Sequence, residues 1–200
     1  MAARFDADLL LTCYARGVFP MAQSRDDPSL FLLDPDERGI LPLDGLHISR
    51  SLRKTLRRGG YRIAINQDFP SIVRACAAPA PGREDTWINA PIRHLYGELH
   101  AKGHAHSVEV RDEDTDTLIG GLYGVSLGGA FFGESMFSRH TDMSKVALVH
   151  LVDRLNDRGF VLLDMQFLTP HLASLGGVEI SRDAYREKLA DALKVSADFA

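Results

Sequence analysis

One stretch decides the fold: GGAFFGESMFS at residues 128–138, an apolar and glycine-rich run that carries a single acid. A tight turn at residues 127–129, followed by a strand at 130–137, predicts the second arm of a β-hairpin. Glu134 lies in the middle of that strand, and an ionised carboxylate is costly to bury without a partner. The flanking glycines favour close approach by another backbone or a ligand. The stretch therefore predicts an apolar pocket with an acid in its wall.

Hydrophobic periodicity and capping residues extend this hairpin in both directions. Downstream of residue 90 they predict strands at 105–111, 117–125 and 160–167, and helices at 91–102, at 143–158 after an Asp142 cap, and at 182–194 after a Ser181 cap. Upstream they predict helices at 5–19, at 49–58 after a Ser49 cap and at 69–77, a strand at 61–65, and loop with short extended pieces at 22–45.

This order of elements is typical of the α+β class. A loop with Pro79, Pro81 and Gly82 predicts a domain boundary. We expect a small N-terminal α/β domain at residues 1–80 and a C-terminal domain at 81–200 with a mixed sheet. The pattern is compatible with an acyltransferase-like sheet.

Composition limits the classes of function. A net charge of −4 excludes a globally basic nucleic-acid binder but leaves room for a local basic patch. No apolar run approaches the roughly 18 residues of a membrane span, and the N-terminus does not resemble a signal peptide. Cys13 and Cys76 are therefore expected to be reduced thiols in a cytoplasmic protein.

Two polar residues interrupt the apolar strand at 160–167. Asp164 and Gln166 fall on one face, about 7 Å apart along the strand. The pair is a candidate site, and the alternative is a structural hydrogen-bond pair. For Glu134 the alternative is a buried salt bridge to Lys145 or Arg139.

The predicted helix at 49–58 is strongly basic. No acid occurs between residues 45 and 67, which favours contact with a polyanion over a merely solvated face. The candidate phosphate-binding residues are Arg50, Arg53, Lys54, Arg57, Arg58 and Arg62.

Several familiar sites are not indicated. His100, His104 and His106 are close in sequence, but no cysteine or carboxylate set completes a metal site. The chain has no P-loop, no dinucleotide-binding glycine pattern and no nucleophile elbow. A glycine-rich phosphate loop is missing before the helix at 143, which disfavours coenzyme A as the acyl donor.

An ordered set of motifs covers almost the whole chain, from about Leu9 to Tyr185. These motifs are YARGVFPM at 14–21, TWIN at 86–89, HSVE at 106–109, GGLYG at 120–124, FGESMFS at 132–138, SKVAL at 144–148, LDMQ at 163–166 and HLASLG at 171–176. The set resembles the leucyl/phenylalanyl-tRNA–protein transferases.

This resemblance implies an enzyme that moves Leu, Phe or Met from aminoacyl-tRNA to the N-terminal Lys or Arg of a protein, marking it for degradation. It also implies a C-terminal domain of the acetyltransferase type (GNAT-like), a cytoplasmic location, and no metal or organic cofactor. We expect a monomer without membrane attachment.

The resemblance also assigns roles. Asp164 is the candidate that binds and deprotonates the acceptor amine, and Gln166 orients it or hydrogen-bonds the ester carbonyl. Glu134 pairs with the acceptor's basic side chain or supports Asp164. The predicted substrate-binding residues are Phe132, Met136, Tyr123, Ser135, Trp87, Phe31, Leu32 and Arg111.

Two positions depart from the family's usual pattern. Phe31 and Leu32 stand where the family commonly has tryptophan, and Arg111 stands where it commonly has an aromatic residue. Loss of an aromatic ring removes about 1–3 kcal/mol of stacking on a base. These departures bear on donor preference and affinity more than on the type of reaction.

Two other functions compete with the transferase. One is a tRNA- or degron-binding relative without catalysis, which the departures favour and the retained Glu134, Asp164 and Gln166 disfavour. The other is a small-molecule N-acyltransferase with a thioester donor.

Overall fold

In the computed structural model of the protein, residues 5–80, 82 and 84–200 are described. Their elements, in chain order, are α1 (Ala7–Ala15), β1 (Phe19–Met21), β2 (Phe31–Leu33), β3 (Glu37–Ile40), α2 (Arg50–Arg58), β4 (Tyr61–Ile65), α3 (Phe69–Cys76), α4 (Ala90–Ala101), β5 (Ala105–Asp112), β6 (Leu118–Leu127), β7 (Ala130–Ser138), α5 (Met143–Asp157), β8 (Leu162–Gln166), α6 (Pro170–Ser174), β9 (Val178–Ser181) and α7 (Arg182–Ala192).

Seven strands form one sheet in the order β4-β5-β6-β7-β8-β3-β9, and β1 and β2 form a separate antiparallel pair. Neighbouring strands of the large sheet are antiparallel except β7 and β8, which are parallel. A parallel pair needs a crossover, and α5 supplies it. The predicted α+β class and mixed sheet are confirmed.

The core lies on both faces of the large sheet because neighbouring residues of a strand point to opposite faces. In β7, Phe131 packs with the apolar side of α5, whereas Phe132 packs with α1, α3, α4 and α7. Both phenylalanines are fully buried. The hairpin that the sequence predicted is thus the centre of two apolar clusters.

The sheet opens between its two parallel strands. β7 and β8 pair only from Ala130 with Leu162 to Phe132 with Asp164, and then separate. Two residues beyond the last pair, Glu134 and Gln166 face each other across the opening. The fold therefore places an acid and an amide at a gap in its own sheet.

The predicted helices and strands are largely confirmed, with two corrections. The first helix ends at Ala15 rather than residue 19, because Gly17 turns the chain at a φ of +80° and β1 follows. Asp142 does not cap α5 with its side chain. It adopts a φ of +69° and its carboxylate binds Lys145 instead, at 2.9 Å.

Strands from both sides of the predicted boundary at residue 80 belong to the large sheet. β3 and β4 precede it, yet β3 lies between β8 and β9, and β4 pairs with β5 along its whole length. Of the N-terminal strands, only β1 and β2 form a sheet apart from the rest. Pro81 itself lies outside the described residues.

Gly39 is required where β3 meets the end of β8. A Cβ at residue 39 would lie 2.7 Å from Leu168 N and 2.8 Å from Phe167 C, which are backbone atoms that cannot move cheaply. We expect Gly39→Ala to lower the free energy of unfolding by about 1–3 kcal/mol, measured by urea denaturation.

Gly97→Ala is the matched control for this substitution. Gly97 lies inside α4 with nothing within 4 Å of its would-be Cβ, so alanine should stabilise by up to about 1 kcal/mol. Equal stability of Gly39→Ala and the native protein would contradict the close packing of β3 on the end of β8.

Candidate active site

Two cavities meet at the opening between β7 and β8. The first, which we call the aliphatic cavity, has a volume of about 230 Å³ on the α5 side of the sheet. The second, the aromatic cleft, has a volume of about 240 Å³ and is lined by Phe19, Trp87 and Phe167 together with Pro20 and Met21. Both cavities share the side chains of Glu134, Met165, Gln166, Thr169 and Leu172.

The aliphatic cavity suits an apolar side chain. Its remaining wall comes from Leu122, Tyr123, Gly133, Ser135, Met136, Leu148, Leu151 and His171. Its volume of about 230 Å³ is many times the space that one water needs, enough for a leucine or phenylalanine side chain. The branched and thioether groups that line it offer dispersion contacts and few polar groups.

Glu134 is held by two tyrosine hydroxyls and an amide. The Tyr14 hydroxyl donates to Glu134 Oε1 at 2.6 Å, and the Tyr96 hydroxyl donates to Oε2 at 2.7 Å. The Gln166 side-chain amide donates to Oε1 at 3.3 Å. The alternative interpretation of Glu134, a buried salt bridge to Lys145 or Arg139, is not the arrangement observed, since Lys145 binds Asp142 and Arg139 donates to the Leu118 carbonyl.

The three acidic groups form a closed triangle, because the hydroxyls of Tyr14 and Tyr96 also lie 2.7 Å apart. With Glu134 ionised, two hydroxyl protons must serve three contacts. A protonated Glu134 supplies the third proton and completes the ring. Burial raises the pKa of Glu134 from 4.5 to about 7, although the two tyrosine hydrogen bonds oppose that rise.

Asp164 lies behind Gln166, where Arg38 binds it. Arg38 Nε donates to Asp164 Oδ1 at 2.9 Å and Nη2 donates to Oδ2 at 2.6 Å, and both side chains are almost fully buried. The Tyr185 hydroxyl donates to Oδ2 and the Gln166 backbone N–H to Oδ1, each at 2.9 Å. Four donors fill the roughly four lone-pair sites of the carboxylate.

This geometry bears on the role predicted for Asp164. A carboxylate whose acceptor sites are all occupied has none left for a substrate amine, and Asp164 lines neither cavity. The alternative reading, a structural hydrogen-bond pair with Gln166, is the arrangement observed. Of the three predicted catalytic residues, Glu134 and Gln166 line both cavities.

The other predicted substrate residues divide into two groups. Tyr123, Ser135 and Met136 line the aliphatic cavity and Trp87 lines the aromatic cleft. Phe132, Phe31, Leu32 and Arg111 line neither.

Each of the four has another environment. Phe132 is core, with its ring 4.8 Å from that of Tyr14. Phe31 and Leu32 are each 44% exposed on β2. Arg111 is buried on β5 and bound by Glu109 at 2.9 Å. It is therefore not free to stack on a base.

Sequence reasoning missed Arg38, Tyr14, Tyr96 and Tyr185. Arg38 precedes the apolar run at 39–41, and a charged residue beside such a run was the available signal. The tyrosines lie on α1, α4 and α7, and only the packing of these helices on one face of the sheet brings them together.

The basic residues of α2 are accessible to a ligand on the protein surface. Arg50, Arg53, Lys54, Arg57 and Arg58 are all exposed, while Leu52 anchors the helix on the α5 side of the core. Arg62 differs, because Asp116 and Gln67 both bind its guanidinium. Of the candidate phosphate-binding residues, those on α2 therefore remain.

Two absences concern the described residues alone. In residues 5–80, 82 and 84–200, no three His, Cys, Asp or Glu side chains are grouped closely enough to hold a metal ion. Within the same part of the chain, no helix combines the length and hydropathy that crossing a bilayer requires.

Comparison with known families agrees with the motifs. Residues 40–190 match the family model described as leucyl/phenylalanyl-tRNA protein transferase, and residues 3–36 match the model of its N-terminal domain. A leucyl/phenylalanyl-tRNA–protein transferase of Maricaulis maris is 63% identical over 98% of this chain and 89% of its own length. The one from Hyphomonas neptunium is 61% identical over 100% of this chain and 76% of its own length.

Solved structures resemble the chain less closely. L-PGS from Bacillus licheniformis superposes with a TM-score of 0.47 at 14% identity, covering 78% of this chain and 51% of its own. A ribosomal-protein-alanine N-acetyltransferase from Brucella melitensis gives 0.37 at 16% identity, covering 52% and 78%.

The raised pKa of Glu134 makes stability depend on pH. Folding favours the neutral acid, so this contribution is complete below about pH 4.5 and is lost as pH rises through about 7. Glutamine cannot ionise. We expect the free energy of unfolding of Glu134→Gln, relative to that of the native protein, to rise by up to about 3 kcal/mol between pH 4.5 and 8.5, measured by urea unfolding.

Glu187→Gln, an exposed substitution on α7, is the control and should show no such trend. A stability difference for Glu134→Gln that stays constant from pH 4.5 to 8.5 would contradict the shifted pKa.

Proposed function

Because this chain belongs to the leucyl/phenylalanyl-tRNA–protein transferase family, we propose that it transfers Leu, Phe or Met from aminoacyl-tRNA to the N-terminal Lys or Arg of acceptor proteins. The product carries a new apolar N-terminus that marks it for degradation. One observation supports this function most: an aliphatic cavity and an aromatic cleft meet at Glu134 and Gln166.

The aliphatic cavity holds the side chain of the donor amino acid. Met136, Leu148 and Leu151 line it, so several apolar side chains fit and charged ones do not. Apolar contacts discriminate by only about 10- to 200-fold per methylene, which agrees with a donor set of more than one amino acid. The departures at Leu32 and Arg111 lie outside this wall, so they do not reshape the cavity.

The aromatic cleft receives the acceptor. Glu134 is its acid, and Trp87 and Phe19 line it. The faces of such rings attract a cationic side chain and the carboxylate attracts the ammonium group, so the cleft suits an N-terminal Lys or Arg.

The chemistry needs little beyond positioning and the removal of two protons from the acceptor nitrogen, one before the attack and one as the amide forms. Aminoacyl-tRNA is an activated ester, so the α-amine attacks the ester carbon, the new C–N bond forms and the C–O bond to the ribose breaks. An α-ammonium has a pKa near 8 and Glu134 has one of about 7, so proton transfer to Glu134 costs only about 1.4 kcal/mol. Glu134 passes this first proton to solvent, and the second proton, which the nitrogen loses as the amide forms, protonates the departing ribose oxygen.

Gln166 stabilises the developing oxyanion. One side-chain N–H donates to Glu134, and the second remains for the ester carbonyl. A fixed donor aimed at the oxygen where charge develops is a common source of catalysis in acyl transfer. Asp164 contributes by holding the Gln166 backbone rather than by touching substrate.

Helix α2 binds the tRNA backbone. Its exposed Arg and Lys side chains form a one-sign surface on a protein of net charge −4, and such a surface contacts phosphate without reading sequence. We also propose that the protein acts as a monomer in the cytoplasm, where aminoacyl-tRNA and acceptor proteins are available.

Transfer should follow the ionisation of Glu134. We expect radiolabelled Leu to pass from Leu-tRNA to a peptide beginning with Arg and not to one beginning with Ala. The rate at subsaturating peptide should rise with pH through about 7, and Glu134→Gln should lose at least about 100-fold together with this limb of the pH profile. Tight tRNA binding without transfer from Leu-, Phe- or Met-tRNA would instead indicate a binding protein.

Salt dependence tests the role of α2. Replacing Arg53 or Arg57 by alanine should weaken tRNA binding and reduce the slope of log affinity against log salt by roughly 1, measured by filter binding. Arg62→Ala removes the same charge, but Asp116 already pairs with it, so the slope should change less. Equal slopes for all three variants would argue against α2 as the phosphate contact.

A further inference from the structure

Arg38 is the largest of the almost fully buried side chains in the described part of the chain, and the proposed reaction does not use it directly. Its side chain is 1% exposed, and its guanidinium lies between the rings of Phe19 and Tyr185, 4.6 and 4.4 Å from their centres. Besides Asp164, it binds the carbonyl of Gly17 at 2.7 Å. One guanidinium therefore connects the end of α1, β3, β8 and α7.

Stability alone is a weak reason for such a pair. Burying two charges costs desolvation that the pair recovers only with good geometry, and apolar replacements of buried ion pairs are often neutral or stabilising. A buried pair does, however, fix orientation, because a bidentate guanidinium holds a carboxylate in one plane. The pair therefore matters for the atoms whose position depends on the orientation of the Asp164 carboxylate.

The backbone conformation of Gln166 depends on the orientation of the Asp164 carboxylate. Gln166 has a φ of +57°, in the left-handed region that a residue with a Cβ seldom adopts. Its N–H donates to the Asp164 oxygen that Arg38 Nε also binds. A shift between Gly39 and Ile40 in the pairing of β3 with β8 occurs at the same place. Surrounding contacts must impose this conformation.

We propose that Arg38 is a positioning residue for transfer: through Asp164 it holds the backbone of Gln166 in the left-handed conformation, which directs the Gln166 carboxamide to Glu134. Arg38 touches neither substrate, and it acts on the rate only through Gln166. The kinetic part of this inference rests on the proposed function. Its structural part, the left-handed conformation of Gln166, does not.

Lysine in place of arginine separates charge from geometry. Arg38→Lys keeps a cation beside Asp164 but cannot make the bidentate contact or bridge to Gly17 at the same time. We expect kcat to fall by about 10- to 100-fold with the KM for aminoacyl-tRNA unchanged, since displacement of a catalytic group by about 1 Å has that effect.

A double-mutant cycle distinguishes positioning from general stability. If Arg38 acts through Gln166, Arg38→Lys should change kcat by less than about twofold in a Gln166→Ala background. Arg182→Lys, which alters surface ion pairs to Asp34 and Asp36, is the control and should leave kcat unchanged in both backgrounds. The same fold-loss of kcat from Arg38→Lys in both backgrounds would overturn the proposal.

Tyr185→Phe tests the same proposal if the Arg38→Lys variant does not fold. It removes one hydrogen bond from Asp164 without removing a charge, and should lower kcat by a smaller factor that likewise disappears in the Gln166→Ala background. A loss that persists in that background would overturn the proposal.

A crystal structure of Arg38→Lys gives a readout independent of activity. Departure of residue 166 from a positive φ would support the inference, and an unchanged φ and carboxamide position would overturn it. Failure of the native enzyme to transfer would refute the proposed function and leave this structural test standing.

Discussion

The site depends on one buried ion pair. Arg38 and Asp164 join β3 to β8, and their remaining hydrogen bonds extend to Gly17, Tyr185 and the Gln166 backbone. Such a pair fixes its surroundings because four donors occupy the Asp164 carboxylate, so neither partner can move without leaving a charge poorly satisfied in the core. The strand end that carries Gln166 is therefore rigid, while the space in front of it is open.

That open space comes from a second constraint, the separation of β7 and β8 after three paired residues. A sheet that stayed paired would bury the backbone groups at this point and leave no room for a ligand. Separation lets an apolar cavity on one face meet an aromatic cleft on the other. Glu134 lies at the junction, where burial raises its pKa toward that of an amine against the opposing hydrogen bonds of Tyr14 and Tyr96.

Sequence reasoning predicted the elements that local rules govern. The Ser49 and Ser181 caps are confirmed, since capping depends on neighbouring residues. Glu134 and Gln166 were identifiable because polar groups in apolar strands are costly. Arg38, Tyr14 and Tyr96 were not identifiable, because their contacts span from 38 to 126 residues along the chain and follow from tertiary packing. The ion pair of Asp164 was not identifiable for the same reason, because its partner Arg38 lies in a segment predicted as loop.

The most direct test of this account is a crystal structure with adenosine that carries phenylalanine through an amide in place of the ester. The account predicts the phenylalanine side chain in the aliphatic cavity, its carbonyl oxygen within hydrogen-bonding distance of the Gln166 side chain, and Asp164 still bound to Arg38 without ligand contact. A ligand whose carbonyl or amine binds Asp164, with Arg38 displaced, would contradict the central claim that Asp164 positions Gln166 and does not touch substrate.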